Sequence, residues 1–251
     1  MTDLPTTPAD NRPYSPGLEG IIAGESSLSY IDGERGRLLY RGYPIGELVK
    51  GGSYPAVAEL LWTGEWNPGA KLPCEPVSPT VLTALRALPR GARPMDALRT
   101  AVSVWGAERN PSWPATAEQA RSLTASSPSA LAAFARIRQG LEPVAPDPDL
   151  DLVPGFLYQL NGERPSDESA RALDAYFIVG AEHGFNASTF TALVISSTRS
   201  DIAAAVAGAI GAMKGHSTAA PRPRSWSRST RWARPTAPRR GSASRSPTER
   251  G

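Results

Sequence analysis

Cysteine is almost absent: Cys74 stands alone in 251 residues. No disulfide framework can form, and a reducing, cytoplasmic setting is expected. No run of 18 apolar residues occurs, which argues against a membrane span. The opening Met1-Thr2-Asp3-Leu4-Pro5 and the residues after it have neither a basic start nor an apolar stretch, so no secretory signal is expected there. Histidine is nearly missing too, with only His183 and His216 in the chain. Lysine is rare beside arginine while Ala, Gly and Pro abound, a bias that points to GC-rich coding DNA.

Acidic residues are missing from one place only. From Ser217 to Gly251 there are nine arginines and a single acid, whereas residues 1–216 carry 18 basic and 23 acidic groups. The formal charge of +3 therefore belongs to the tail and says nothing about partners of the body. The same 35-residue tail contains no Val, Ile, Leu, Met, Phe or Tyr. Such a segment cannot bury enough apolar surface to offset its ordering entropy, so disorder is expected over 216–251.

What is present reads as a mainly α chain with a small β-hairpin near its start. Residues 1–16 are polar and Pro-rich and are expected to form an extended arm. Leu28–Asp32 and Arg37–Arg41 flank Gly33-Glu34-Arg35-Gly36, a hairpin pattern. Ser53 with Pro55 opens a helix that ends at Gly64, Ser78-Pro79 opens a second closed by Pro89, and Pro94 opens a third whose apolar stripe runs to Trp105 before Gly106. Glu118–Ser126 is expected as one helix, with a separate helix restarting at Ser127-Pro128 and ending at Gly140. Residues 141–151 are a loop, and Leu152–Leu160 is a short helix ended at Gly162. Ser166–Ala181 is the best amphipathic helix, followed by Ala187–Ser197 and Asp201–Met213. The last is built from small residues (Ala204, Gly208, Gly211, Ala212), which suits a tightly packed central helix or a subunit interface.

Between two of these helices lies Ala181-Glu182-His183-Gly184-Phe185-Asn186-Ala187-Ser188-Thr189. A short Gly-punctuated break with a His and an Asn, set between apolar helices, puts polar groups where little water reaches. On spacing alone, a histidine at such a place is more often a helix cap or a satisfied core group than a ligand-binding residue.

The order of segments resembles the citrate synthase family, including 2-methylcitrate synthases. The stretches that carry the likeness are Gly17–Glu25, Tyr30-Ile31-Asp32-Gly33, Leu39-Tyr40-Arg41-Gly42-Tyr43-Pro44-Ile45 and Pro94-Met95-Asp96-Ala97-Leu98. Phe156–Gly162, Glu182-His183-Gly184-Phe185-Asn186-Ala187-Ser188 and Gly211-Ala212-Met213-Lys214-Gly215 complete it. The resemblance implies a helical homodimer with a large domain, here 17–215, and a smaller one that closes over acyl-CoA. It implies condensation of acetyl-CoA, a substrate, with oxaloacetate, and no metal or other cofactor. In the family an aspartate takes the α-proton while one histidine hydrogen-bonds the forming enolate. A second histidine activates the oxaloacetate carbonyl, in a closed, dry site. By the same resemblance His183 matches the histidine that binds oxaloacetate, and Asn186 a neighbouring motif position.

The likeness breaks after Lys214-Gly215. The family continues there with Leu-His-Gly-Gly, whose histidine is catalytic; this chain continues His216-Ser217-Thr218-Ala219-Ala220-Pro221. Reading the tail's codons in the frame that borrows the preceding base, with G or C at most wobble positions, Gly215 onward becomes Gly-Ala-Leu-His-Gly-Gly-Ala-Pro-Ser-Glu-Val. Loss of one base just after the Lys214 codon is the preferred explanation, and His216 is not carried over as a catalytic residue. The expectation is a chain without its small domain, catalytic histidines or aspartate, inactive as a synthase and with apolar helix faces left open. A second reading takes the Arg-rich tail, with Trp226 and Trp232, as a nucleic-acid-binding extension of a non-catalytic dimer. Since charge runs are more often solvated than functional, the frameshift reading is favoured.

Overall fold

The computed structural model describes residues 24–215. The expected arm (1–16), the tail (216–251) with His216, and most of the Gly17–Glu25 stretch lie outside the described residues. The chain enters through three short antiparallel strands, β1 (Ser29–Asp32), β2 (Arg37–Tyr40) and β3 (Tyr43–Pro44), in the order β1-β2-β3. Ser29 faces Tyr40 and Asp32 faces Arg37, which closes the hairpin over residues 33–36 as its turn chemistry requires. The third strand, with Tyr43 facing Tyr40, extends the expected hairpin to three strands.

The helices follow: α1 (Ile45–Gly51), α2 (Tyr54–Thr63), α3 (Pro79–Ala87), α4 (Pro94–Arg109), α5 (Ala117–Arg138), α6 (Leu152–Asn161), α7 (Asp167–Gly180), α8 (Ala187–Ser197) and α9 (Ile202–Met213). Their starts are set by short polar side chains that accept from orphan N–H groups. Ser53 accepts from Ala56, Ser78 from Val81, Ser166 from Ser169 and Asp201 from Ala204. Thr116 and Gln119 cap each other reciprocally at the start of α5. Gly64 and Gly162, both with positive φ, end α2 and α6.

Three elements differ from expectation. α1 is short and glycine-bounded, and so carries little signal of its own. Its Leu48 is buried against Tyr40, Val57, Leu60 and Ile178, and that packing supplies what propensity does not. α4 runs through Gly106 to Arg109 and ends on Asn110, which adopts a left-handed φ of 44°. α5 is one helix of 22 residues, not two, with Pro128 inside it. A mid-helix proline costs about 3 kcal/mol. Buried residues on both sides of it (Leu123, Ala125, Ala130, Ala133, Phe134) offset that cost. The Ser126 and Ser127 hydroxyls also donate to the Ser122 and Leu123 carbonyls beside the break.

The core falls into connected groups. Val81, Leu85, Ala97, Ala101, Ala130, Ala133 and Phe134 join α3, α4 and α5. Val102, Trp105, Leu123, Ala203 and Ile210 join α4, α5 and α9. Cys74, Ala125 and Leu152 form a smaller cluster around the start of α6. α9 packs between α4 and α8 as the small-residue text suggested. Its close approaches fall on Gly106, where an added Cβ would lie 2.5 Å from Ala203 Cβ, and on Gly208, where it would lie 2.2 Å from Ile195 Cδ1. In contrast α8 buries none of its residues, and Tyr176, Val179, Leu193 and Val194 of α7 and α8 are exposed. Among the described residues no helix is long and apolar enough to cross a membrane.

Candidate functional site

The break between α7 and α8 is built from two helix ends and the hairpin. α7 closes when the Ala181 N–H donates back to the Ile178 carbonyl at 3.3 Å. α8 opens on Asn186, whose Oδ1 accepts from the Thr189 N–H at 2.9 Å and from the Ser188 hydroxyl. The Asn186 side-chain amide donates to the Gly184 carbonyl at 3.2 Å. Gly184 itself is buried with a φ of +83°, a conformation that glycine adopts without a Cβ penalty.

Glu182 ties this turn to the sheet. Its backbone N–H donates to the Tyr40 hydroxyl at 3.2 Å, and that hydroxyl donates to the Val179 carbonyl at 2.9 Å. Its carboxylate accepts from the Ser29 hydroxyl at 3.0 Å and from the Gly184 N–H. Tyr40 is 0% exposed, and burial pushes its phenol above the ordinary tyrosine range, with the neighbouring Glu182 charge acting in the same direction.

His183 stands at the crest of this turn and is exposed. Among the described residues no hydrogen bond uses its ring. The sheltered, water-poor setting expected of this turn is not formed by residues 24–215. The reason lies in the neighbouring surfaces: the outer faces of α7 and α8 that flank the turn are open. Asn186 lies three residues on as the helix cap. With Oδ1 accepting twice and one amide hydrogen spent on Gly184, one amide hydrogen has no partner among the described residues. A groove of about 460 Å³ runs beside the turn, lined by Tyr54, Pro128, Phe156, Phe177, Gly180 and Ala181 among others. His183 and Asn186 do not line it.

Two further motif stretches meet at a second junction. Lys214, at the end of α9, pairs with Asp96, in the first turn of α4. Asp96 also accepts from the Arg93 N–H at 3.3 Å and lies 3.6 Å from Arg99. Tyr40, Ser29 and Glu182 are the site residues that sequence reasoning passed over. Tyr40 and Glu182 both sat within the motif stretches, but nothing in their spacing announced that they touch. Among the described residues, no group of three or more His, Cys, Asp or Glu is disposed to hold a metal ion.

With a helical body of this order and a His-bearing turn between α7 and α8, the chain belongs to the citrate synthase family. The family model described as citrate synthase, C-terminal domain, matches residues 17–220. Among its relatives are a citrate synthase of Haloferax volcanii, 41% identical and covering 79% of this chain and 57% of that protein, and a 2-methylcitrate synthase of Mycobacterium tuberculosis, 40% identical with 82% and 55% covered. The crystal structure of citrate synthase from Thermotoga maritima superposes with a TM-score of 0.69 at 36% identity, over 79% of this chain and 55% of that one. The chain thus spans a little over half the length of the relatives it matches.

Proposed function

We propose that this chain derives from an enzyme that condenses an acyl-CoA with oxaloacetate, and that His183 is its oxaloacetate-binding residue. The observation that carries this reading is the turn itself. In a chain of this family, a hydrogen-bond-anchored backbone presents an exposed imidazole between two helix ends. Such a group can hydrogen-bond a carbonyl or carboxylate of a dicarboxylic acid. Asn186 supports the site by fixing the start of α8, with one amide hydrogen left for the same ligand. The acyl donor is acetyl-CoA in a citrate synthase and propionyl-CoA in a 2-methylcitrate synthase, a difference of one methylene worth about 1–3 kcal/mol in a pocket. Relatives of both kinds resemble this chain at nearly equal identity.

We also propose that the departure from the family pattern after Gly215 leaves the chain without turnover. The family chemistry calls for the oxaloacetate-binding histidine and two catalytic ones, and this chain has only His183 and His216. His216 is followed by Ser217-Thr218 where the family has Gly-Gly. We further propose that the protein is cytoplasmic and that the open faces of α7 and α8 pair with a second copy. The free, buried thiol of Cys74 fits a reducing compartment.

The test is direct. Purified protein mixed with oxaloacetate and acetyl-CoA or propionyl-CoA is expected to release no free CoA above the uncatalysed rate, while oxaloacetate alone shifts the NMR signal of the His183 ring. Release of CoA overturns the inactivity. An unmoved His183 ring at saturating oxaloacetate overturns the binding role. Resequencing the DNA at codons 213–218 tests the origin of the tail: one additional base there restores the Leu-His-Gly-Gly frame.

A further inference from the structure

Both helices that border the His183 turn are terminated without Glu182. Ala181 returns its N–H to Ile178, and Asn186 caps α8. Yet Glu182 makes two long-range hydrogen bonds. Its N–H reaches Tyr40, 142 positions earlier, and its carboxylate reaches Ser29, 153 positions earlier. The same carboxylate folds forward over His183 to take the Gly184 N–H. The Glu182 N–H, one residue before His183, and the Gly184 N–H, one residue after it, are therefore both fixed through Glu182. Tyr40 and Ser29 are themselves immobilised in the core, both almost wholly buried.

A carboxylate that merely capped a helix would sit at a helix end with orphan N–H groups before it. Glu182 instead holds only the segment between the two helices, and what that segment displays is the His183 ring. Gly184, at a φ of +83°, bends the chain so that this closure is possible.

We propose that Glu182 is a positioning residue for His183: its carboxylate, anchored on Ser29, and its N–H, anchored on Tyr40, fix the backbone that aims the imidazole at oxaloacetate. This rests on the reading of His183 as the oxaloacetate ligand, but it has a signature of its own that requires no ligand. Glu182→Ala removes the acceptor. Glu182→Gln keeps an oxygen that can accept from both Ser29 and Gly184, so geometry survives without the charge.

The experiment compares the full chain with its E182A, E182Q and S29A variants by NMR. The His183 ring signal is assigned by its loss in His183→Asn. In E182A the Gly184 amide is expected to exchange with solvent about tenfold faster, and the His183 ring signal to move. Oxaloacetate binding should weaken by about tenfold, while E182Q stays within about threefold of the parent. S29A, which removes one hydrogen bond to the carboxylate, falls between them and serves if E182A does not fold. The proposal is overturned if E182A or, in its place, S29A leaves the Gly184 exchange and the ring signal unchanged, or if E182Q is as damaged as E182A. A parent protein that ignores oxaloacetate sinks the binding role alone; the ligand-free signals then still decide whether Glu182 positions the ring.

Discussion

Lys214 and Asp96, 118 positions apart, form an ion pair that fastens the C-terminal end of α9 to the N-terminal turn of α4. Each charge complements its own helix: an acid in a first turn and a base at a last turn both oppose the helix dipole. The Lys214 ammonium is the leading cause that holds the Asp96 carboxyl below the usual carboxylate range. Because its pKa is lower folded than unfolded, the stabilisation is present above the ordinary aspartate pKa and is lost as pH falls through the folded value. Asp96→Asn is expected to speed amide exchange at Lys214 and Gly215 at about pH 6, with the two proteins converging once the pH has fallen through the folded Asp96 value. Equal exchange at about pH 6 would show that the pair holds nothing.

Gly106 and Ala203 form a size-matched pair between α4 and α9. Gly106→Ala places two methyl groups 2.5 Å apart, with no flexible end to move aside, so the helices must separate. Overpacking of this kind costs about 1–3 kcal/mol, against which the helix propensity of alanine returns about 1. The single variant should melt at a lower temperature. Ala203→Gly added to it should recover most of the loss, because the methyl has simply changed sides. Additive losses in the double variant would refute the pairing.

Cys74 and Tyr40 make the fold sensitive to alkali. Burial raises the Cys74 thiol from 9.0 to about 11, and burial also raises Tyr40. Both groups therefore stay protonated in the folded chain after the unfolded chain has begun to lose its protons. Their contribution is fully present below the unfolded pKa and is lost as pH rises through the folded one. The urea midpoint is expected to fall between about pH 9 and 11, and Cys74→Ala should flatten part of that slope. A thiol reagent at about pH 8 should label Cys74 slowly in the native protein and at once in denaturant.

The outer faces of α7 and α8 carry Tyr176 at 73% exposure and Val194 at 51%. Paired copies would cover them, giving a particle of twice the 26.6 kDa chain mass in sedimentation. Val194→Glu is expected to return the protein to a monomer without lowering its helix content. A parent that sediments as a monomer at high concentration removes the pairing.

Much of this architecture was legible in the sequence because its signals are local. Ser53, Ser78, Ser166 and Asp201 announce helix starts through groups no more than three residues away. α1 and the continuity of α5 were not legible, since both depend on partners distant in the chain. Leu48 needs Ile178, and Pro128 is tolerated because buried side chains flank it on both sides. At the site, the positions of His183 and Asn186 on the turn were readable, and so was the glycine bend. The Tyr40–Glu182–Ser29 anchorage was not, because a hydrogen bond across some 150 residues leaves no periodic trace.

That anchorage also imposes an order of events on synthesis. Ser29 and Tyr40 leave the ribosome long before Glu182, and at about 5–20 residues per second the delay is about 7–30 s. Through that interval the hairpin waits without the helix it is meant to hold, and the core side of Tyr40 lacks Ile178. The turn that displays His183 consequently takes shape only after its oldest and youngest parts have met, which makes it among the last features of the fold to form.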